Sequence, residues 1–243
     1  MKGLKKIILV YVSLISMFVI SFKTEANKND NIVDFPSNDI IEVPKDDNEE
    51  IIVPPVIEEE VNKPIITKKT KVYINPSVQH ANLYANGKGS EASNMLDVAK
   101  YLKKELDKIE FLEVLYNLEN LSLKNSVKES NEFDADIHLA LHTNAGGGKG
   151  SEIYTVNSSS FSKMVYDDFN SLGNFNKRGI KNGSHLYEVK NSKADHVALM
   201  EFLFHDNVEE ANWIVANKEL IAKQLAKSIV NFVSVYYYSS LIF

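Results

Sequence analysis

The chain has 243 residues, 44% of them apolar, and a formal net charge of −6, a length that allows one substantial domain or two. The acidity is local: Asn27 to Pro64 holds eleven Asp and Glu against three Lys, a net of −8, and residues 1–26 carry +3, which leaves residues 65–243 at −1, without the basic stripe that nucleic-acid binding requires. The absence of cysteine excludes disulfides, thiolate zinc ligands and a cysteine-linked lipid anchor.

The N-terminus reads "MKGLKK" followed by Ile7–Phe22, sixteen residues without a charge. A basic start and an apolar run of this length predict a secretory signal, or an uncleaved membrane anchor, over residues 1–26. Either one implies export, with the protein outside the cell, in the wall or on the outer face of the cytoplasmic membrane. Residues 27–66 contain five of the six prolines, interleaved with "KDDNEE" and "VIEEEV". Proline interrupts helices and crowded carboxylates oppose compaction, so this segment reads as an extended, disordered acidic linker.

Residues 67–243 read as a single domain. "KVYIN" is strand-like, and Glu91–Asp107 places Met95, Val98, Ala99, Leu102 and Leu106 at helical spacing. "FLEVLYNL" is strand-like, "SLKNSVKESNEF" is a polar helix or loop, and "DIHLALH" is a candidate buried strand. "SEIYTV" is another strand, and "SSSFSKMVYDDFNSLG" is a helix closed by Gly173. "HLYEV", the apolar run "HVALMEFLF" and a last helix from about Lys218 to Tyr236 complete the chain. Strands alternating with helices predict an α/β fold, with a mostly parallel central sheet covered by helices on both faces.

The stretch "LHTNAGGGKGSEIY" poses the question of chemistry. A Walker phosphate loop needs Lys and Ser/Thr directly after its last glycine, with a helix following. Here Lys149 precedes Gly150 and a strand follows, so the helix N-terminus that binds phosphate is missing. A serine-hydrolase elbow is excluded as well, because no serine stands in G-x-S-x-G.

Three residues fit a metal hydrolase better. His142 closes an apolar strand, where open α/β sheets place their sites. His138 shares its strand face but sits four residues away, about 13 Å along a strand and too far to share a metal, so it reads as structural. Glu91 opens the first helix on its apolar side, where a helix cap or a ligand role both fit. Glu201 is the only charge within Val197–Phe204. An unpaired carboxylate in such a run costs several kcal/mol or sits protonated, so it calls for a cation, a salt bridge or a catalytic task. One His and two Glu with a further polar ligand suit a catalytic zinc.

These residues, in this order, resemble the zinc-dependent N-acetylmuramoyl-L-alanine amidases of the bacterial cell wall (amidase type 3). "LHTNA" (Leu141–Ala145) resembles the family's "IHxNA", and Glu91 in "EASNMLDVAKYL" its helix-opening glutamate. "RGIK" (Arg178–Lys181) resembles an "RGVK" that precedes a strand, and Glu201–Asn207 a pattern like "vExxF..N". One departure concerns the first histidine ligand, which most members supply from "PGHGG". This chain reads "NPSVQHANLY", which resembles a divergent "PSxQxxNxY" branch through Pro76, Ser77, Gln79, Asn82 and Tyr84.

The resemblance implies a cell-wall hydrolase that cuts the amide between N-acetylmuramic acid and L-alanine of peptidoglycan. It implies Zn2+ held by Glu91, His142 and His80, with Gln79 as the alternative; imidazole is the better zinc donor. Glu201 is then the catalytic base, and Asn144, Gly146 and Gly147 belong to a substrate-binding loop whose glycines let substrate approach the backbone. The partner is peptidoglycan, with no nucleic acid, membrane contact only through the N-terminal segment, and a monomeric state. Two other readings stay open: a metal-poor, non-catalytic peptidoglycan-binding domain, and a zinc hydrolase of another cell-wall amide.

Overall fold

A computed structural model of the chain describes residues 68–236 apart from 120, 157 and 158. The segments read above as signal or anchor and as acidic linker lie outside the described residues. Among the described residues no helix is long and apolar enough to cross a membrane.

In chain order the elements are β1 (Thr70–Pro76), α1 (Glu91–Leu106), β2 (Leu112–Tyr116), α2 (Leu123–Glu132), β3 (Ile137–Asn144) and β4 (Ser151–Thr155). Then follow α3 (Ser159–Asn170), β5 (Lys177–Asn182), α4 (Tyr187–Asn191), β6 (His196–Phe204), α5 (Val208–Ala216) and α6 (Lys218–Tyr236). The strands form one sheet in the order β2-β1-β3-β6-β4-β5. Neighbours run parallel except β4 and β6, which pair antiparallel. The fold is therefore α/β with a mostly parallel sheet.

Composition explains the strand order. β3 and β6 are almost wholly buried and occupy the middle of the sheet, as apolar strands covered on both faces must. β5 reads "KRGIKN", is largely exposed, and takes an edge where its cations discourage pairing with another chain. Alternation along the strands then sorts side chains between two cores. Ile74, Leu139, Leu141, Met200 and Phe202 point into the larger one with Met95, Val98 and Leu102 of α1, Phe161 and Phe169 of α3, Ile214 of α5, and Ile229 and Phe232 of α6. Each such fully buried side chain contributes about 1.5–3 kcal/mol relative to an exposed one. Tyr73, Ala140, Val197 and Leu199 point into a smaller core closed by Phe133, Leu186 and Val189. Among the described residues the second layer is thin, because only α2 and the five-residue α4 supply it.

One local feature differs from the sequence reading, and two helices are supplied by the structure. "RGIK" lies inside β5 instead of preceding a strand, and the "HLYEV" stretch that follows turns into α4. Val189 there is drawn into the smaller core, a tertiary contact that overrides the stretch's β-like composition. An additional helix, α5, also precedes the last one; Asn207 caps it by accepting from the backbone N–H of Glu209 and Glu210.

Candidate functional site

The site lies at the C-terminal ends of β1, β3 and β6. Strand alternation places His142 and Glu201 on one face, and the register sets them opposite each other on neighbouring strands. On the other side Glu201 pairs with Glu152 of β4. Glu91 arrives from α1: Ser90 caps that helix through a reciprocal pair with Ser93, so Glu91 opens the first turn directly above the sheet edge.

Glu91 is 1% exposed, and its Oε1 lies 2.9 Å from His142 Nδ1. Asn82 donates to Glu91 Oε2 at 2.7 Å, and the Thr143 backbone N–H donates to Oε1 at 3.4 Å. Burial alone would raise the Glu91 carboxyl, but the bonds from His142, Asn82 and Ser77 outweigh it and hold the pKa below its ordinary value. His205 Nδ1 stands 4.0 Å from Glu91 Oε2, with its ring stacked on Tyr84.

His142 has carboxylates on both ring nitrogens. Nδ1 faces Glu91, and Nε2 faces Glu188 Oε2 at 3.6 Å. Burial would lower its pKa, but Glu188 and Glu91 together push it up to about 10, so the ring is an imidazolium in the metal-free protein.

Glu201 has the opposite character. Its Oε2 is buried without a hydrogen-bond partner. Burial is the largest cause that raises its pKa to about 7; His142 opposes this, while Glu91, Glu152 and Glu188 reinforce it. A carboxyl that exchanges a proton near neutrality, beside a cluster of anions, has the properties of a general base.

The residues after β1 split in their placement. The Gln79 side chain enters the site, with Nε2 3.4 Å from both Glu91 Oε1 and His142 Nδ1, and with Oε1 accepting from Asn82 Nδ2 at 2.9 Å. His80 follows in an exposed turn. Among the described residues no three His, Cys, Asp or Glu side chains gather as a metal-binding group. Glu91 and His142 nevertheless converge on one point with the Gln79 amide beside them. One carboxylate and one imidazole suit a divalent metal; the Gln79 carboxamide, which faces them with its NH2, would have to turn Oε1 inward to join them and is the weakest donor.

The loop residues have structural partners. Asn144 Nδ2 donates to Glu152 Oε1 at 2.7 Å. Glu152 also receives Arg178 Nε at 2.7 Å, Lys181 Nζ and the Tyr154 hydroxyl, and these bonds hold its carboxyl at about 2 despite burial. Gly146 and Gly147 both have positive φ, and both backbone N–H groups donate to Asp206 Oδ2, at 2.7 and 2.8 Å. Asp206 therefore clamps the glycine loop across the mouth of the site.

Three residues of this neighbourhood escape the sequence reading as members of the site: Asn75, Glu152 and Glu188. Glu188 was detectable in principle as the lone acid of "HLYEV", by the logic that singles out Glu201. His138, read as structural, is fully buried between Ser130 Oγ at 2.7 Å and Glu188 Oε1 at 2.8 Å.

Comparison with known proteins identifies relatives and shared folds. The sporulation-specific N-acetylmuramoyl-L-alanine amidase of Bacillus subtilis (strain 168) is 24% identical over 152 residues, 58% of this chain. The chain spans 59% of the length of that relative. The catalytic domain of CwlV, an N-acetylmuramoyl-L-alanine amidase from Bacillus (Paenibacillus) polymyxa var. colistinus, shares the fold with a TM-score of 0.63 at 21% identity, over 68% of this chain and 99% of that one. An N-acetylmuramoyl-L-alanine amidase from Clostridium difficile 630 does so with a TM-score of 0.59 at 20% identity, over 70% of this chain and 100% of that one. The profile of one family, described as N-acetylmuramoyl-L-alanine amidase, matches residues 77–233. That span runs from the end of β1 into α6 and takes in Gln79, Glu91, His142, Glu188 and Glu201: the chain belongs to the N-acetylmuramoyl-L-alanine amidase family.

Proposed function

We propose that the protein is a zinc-dependent cell-wall hydrolase that cleaves the amide between N-acetylmuramic acid and L-alanine of peptidoglycan. The observation that carries the reading is the convergence of Glu91 and His142 at 2.9 Å, next to the unpartnered, raised-pKa carboxyl of Glu201. Glu91, His142 and Gln79 would hold the zinc, and His80 is the alternative to Gln79. A bound zinc supplies the Lewis acid that acidifies water and polarises the scissile carbonyl.

The chain's own residues do the rest. Glu201, ionised near neutrality, takes the proton of the attacking water on its free Oε2. It returns that proton to the amine of L-alanine as the C–N bond breaks, which avoids expulsion of an amide anion. Thr143 and Asn82 fix the Glu91 carboxylate, so its geometry is preorganised. The clamped glycine loop presents backbone to the glycan or peptide beside the site. The N-terminal segment exports the chain, and peptidoglycan is its partner.

The test incubates the purified full chain with isolated peptidoglycan, with and without a chelator and with zinc added back, and identifies the released ends by mass spectrometry. Stem peptides beginning in L-alanine, lost with chelator and restored by zinc, are expected. Intact glycan–peptide links under every condition, with the protein still sedimenting with the wall, make it a non-catalytic binding domain instead. Zinc-dependent release of other ends moves the reaction to another amide of the wall.

A further inference from the structure

We infer that Glu188 is a positioning residue for His142: its buried Oε2, aimed at His142 Nε2 from 3.6 Å, pairs with that nitrogen and so keeps Nδ1 turned toward Glu91 and Gln79. The inference rests on the zinc reading for its consequence, and on geometry alone for its substance.

Strand periodicity sets His138 and His142 on the same face of β3, too far apart to share one metal ion. Glu188 comes between them from α4. One oxygen, Oε1, is saturated: it lies 2.8 Å from His138 Nε2 and also accepts from Asn75 Nδ2. The other, Oε2, is buried without a hydrogen-bond partner and stands 3.6 Å from His142 Nε2. The result is a line of polar groups from Ser130 through His138, Glu188 and His142 to Glu91, hydrogen-bonded except at the 3.6 Å Glu188–His142 pair. The residue is 2% exposed, an expensive place for a carboxylate unless its charge is used.

The scaffold holds Glu188 firmly in this place. Leu186 and Val189 on either side enter the smaller core. Asn131 of α2 ties down the end of α4, donating to the Asn191 carbonyl at 3.1 Å and accepting from the Lys193 backbone N–H at 2.7 Å. A cavity of about 320 Å³, lined by Asn75, Ser77, Gln79, Ser126, His142 and Glu188, leaves His142 room to turn. An imidazole beside open space needs a second fixed partner to present one nitrogen reliably, and a carboxylate on the far nitrogen is the usual device for a metal-binding histidine. It matters more here than where three strong ligands are present, because a carboxamide contributes little to fixing the site.

Two variants test this in the full chain. In Glu188→Gln the side-chain oxygen is kept on the Asn75 side, so the amide NH2 confronts His142 Nε2 and turns the ring proton onto Nδ1, the metal-facing nitrogen. In His138→Phe the other partner of Glu188 is removed while Oε2 stays in place. Zinc affinity is read by competition with a chromophoric chelator, and stability of the metal-free proteins by urea unfolding. The expected result is zinc binding at least tenfold weaker in Glu188→Gln, within the range known for outer-shell partners, and within about threefold of wild type in His138→Phe. Equal affinity in wild type and Glu188→Gln overturns the inference. So does parallel loss in both variants in proportion to stability, since that is the signature of a purely structural cluster.

Long-range 15N–1H NMR of His142 in the metal-free wild type, recorded above the pH of about 10 at which the ring becomes neutral and carries a single proton, provides a readout that needs neither zinc nor a variant. A proton on Nε2, hydrogen-bonded to a carboxylate, supports the inference even if the wild type takes up no zinc and the proposed function fails. A bare Nε2 refutes it.

Discussion

Glu201→Gln should stabilise the metal-free protein above neutral pH while abolishing its activity. In the folded chain the Glu201 carboxyl is raised from 4.5 to about 7, chiefly by burial. An unfolded chain restores the ordinary value, so between these two pH values the folded state holds a proton that the unfolded state has released. Stability therefore falls as pH rises through that window and levels off above about 7. At about 1.36 kcal/mol per pKa unit, the shift corresponds to a penalty of roughly 3 kcal/mol once the group is ionised. Glutamine keeps the shape and cannot ionise, so the variant escapes that penalty. Urea unfolding of both metal-free proteins at pH 5 and pH 8 measures it. The expected pattern is similar stability at pH 5 and a variant about 2–3 kcal/mol more stable at pH 8, with peptidoglycan cleavage reduced roughly 10²–10⁴-fold. A variant no more stable at pH 8 than wild type, or destabilised equally at both pH values, would refute the picture of a carboxylate held buried and unpaired for use as a base.

Other outcomes follow from the same geometry. Gln79→Ala should weaken zinc binding while His80→Ala leaves it near wild type, and Gln79→His should tighten it roughly tenfold or more, because imidazole replaces a carboxamide; chelator competition decides, and a loss confined to His80→Ala would transfer the ligand role. Zinc affinity should rise by about tenfold per pH unit between pH 6 and 8, because His142 is protonated up to about 10 in the metal-free protein and must release that proton. Calorimetry in two buffers of different ionisation enthalpy counts the protons, and a pH-independent affinity contradicts the ion pair. Gly150→Ala should cost about 2–4 kcal/mol, since its Cβ would lie 1.9 Å from the Asn176 carbonyl oxygen at a φ of +94°; an unchanged melting temperature would show that the loop yields there.

Much of the architecture was legible because it is written in short-range pattern. Met95, Val98, Ala99, Leu102 and Leu106 announce α1 by their spacing, and all five are buried against the sheet. The apolar runs of β3 and β6 announce central strands for the same reason. Less legible were α4 and β5. The helical turn at Tyr187–Asn191 depends on Val189 reaching a core assembled from distant strands, and β5 is an edge whose exposed cations carry no strand signal.

The sequence by itself determined that the folded part is α/β, and that Glu91, His142 and Glu201 are misplaced polar groups in apolar settings. Each of them violates a local expectation, and local expectations are what a sequence displays. Which groups meet depends on register, on helix entry and on turn geometry over long sequence separations, and only the tertiary structure decided it. It placed Gln79 within 3.4 Å of Glu91 and His142, clamped the glycine loop with Asp206, and set Glu188 between two histidines of one strand. Glu188 is 46 residues from His142 in sequence, so only the packing of α4 onto α2 and β6 brings the two together.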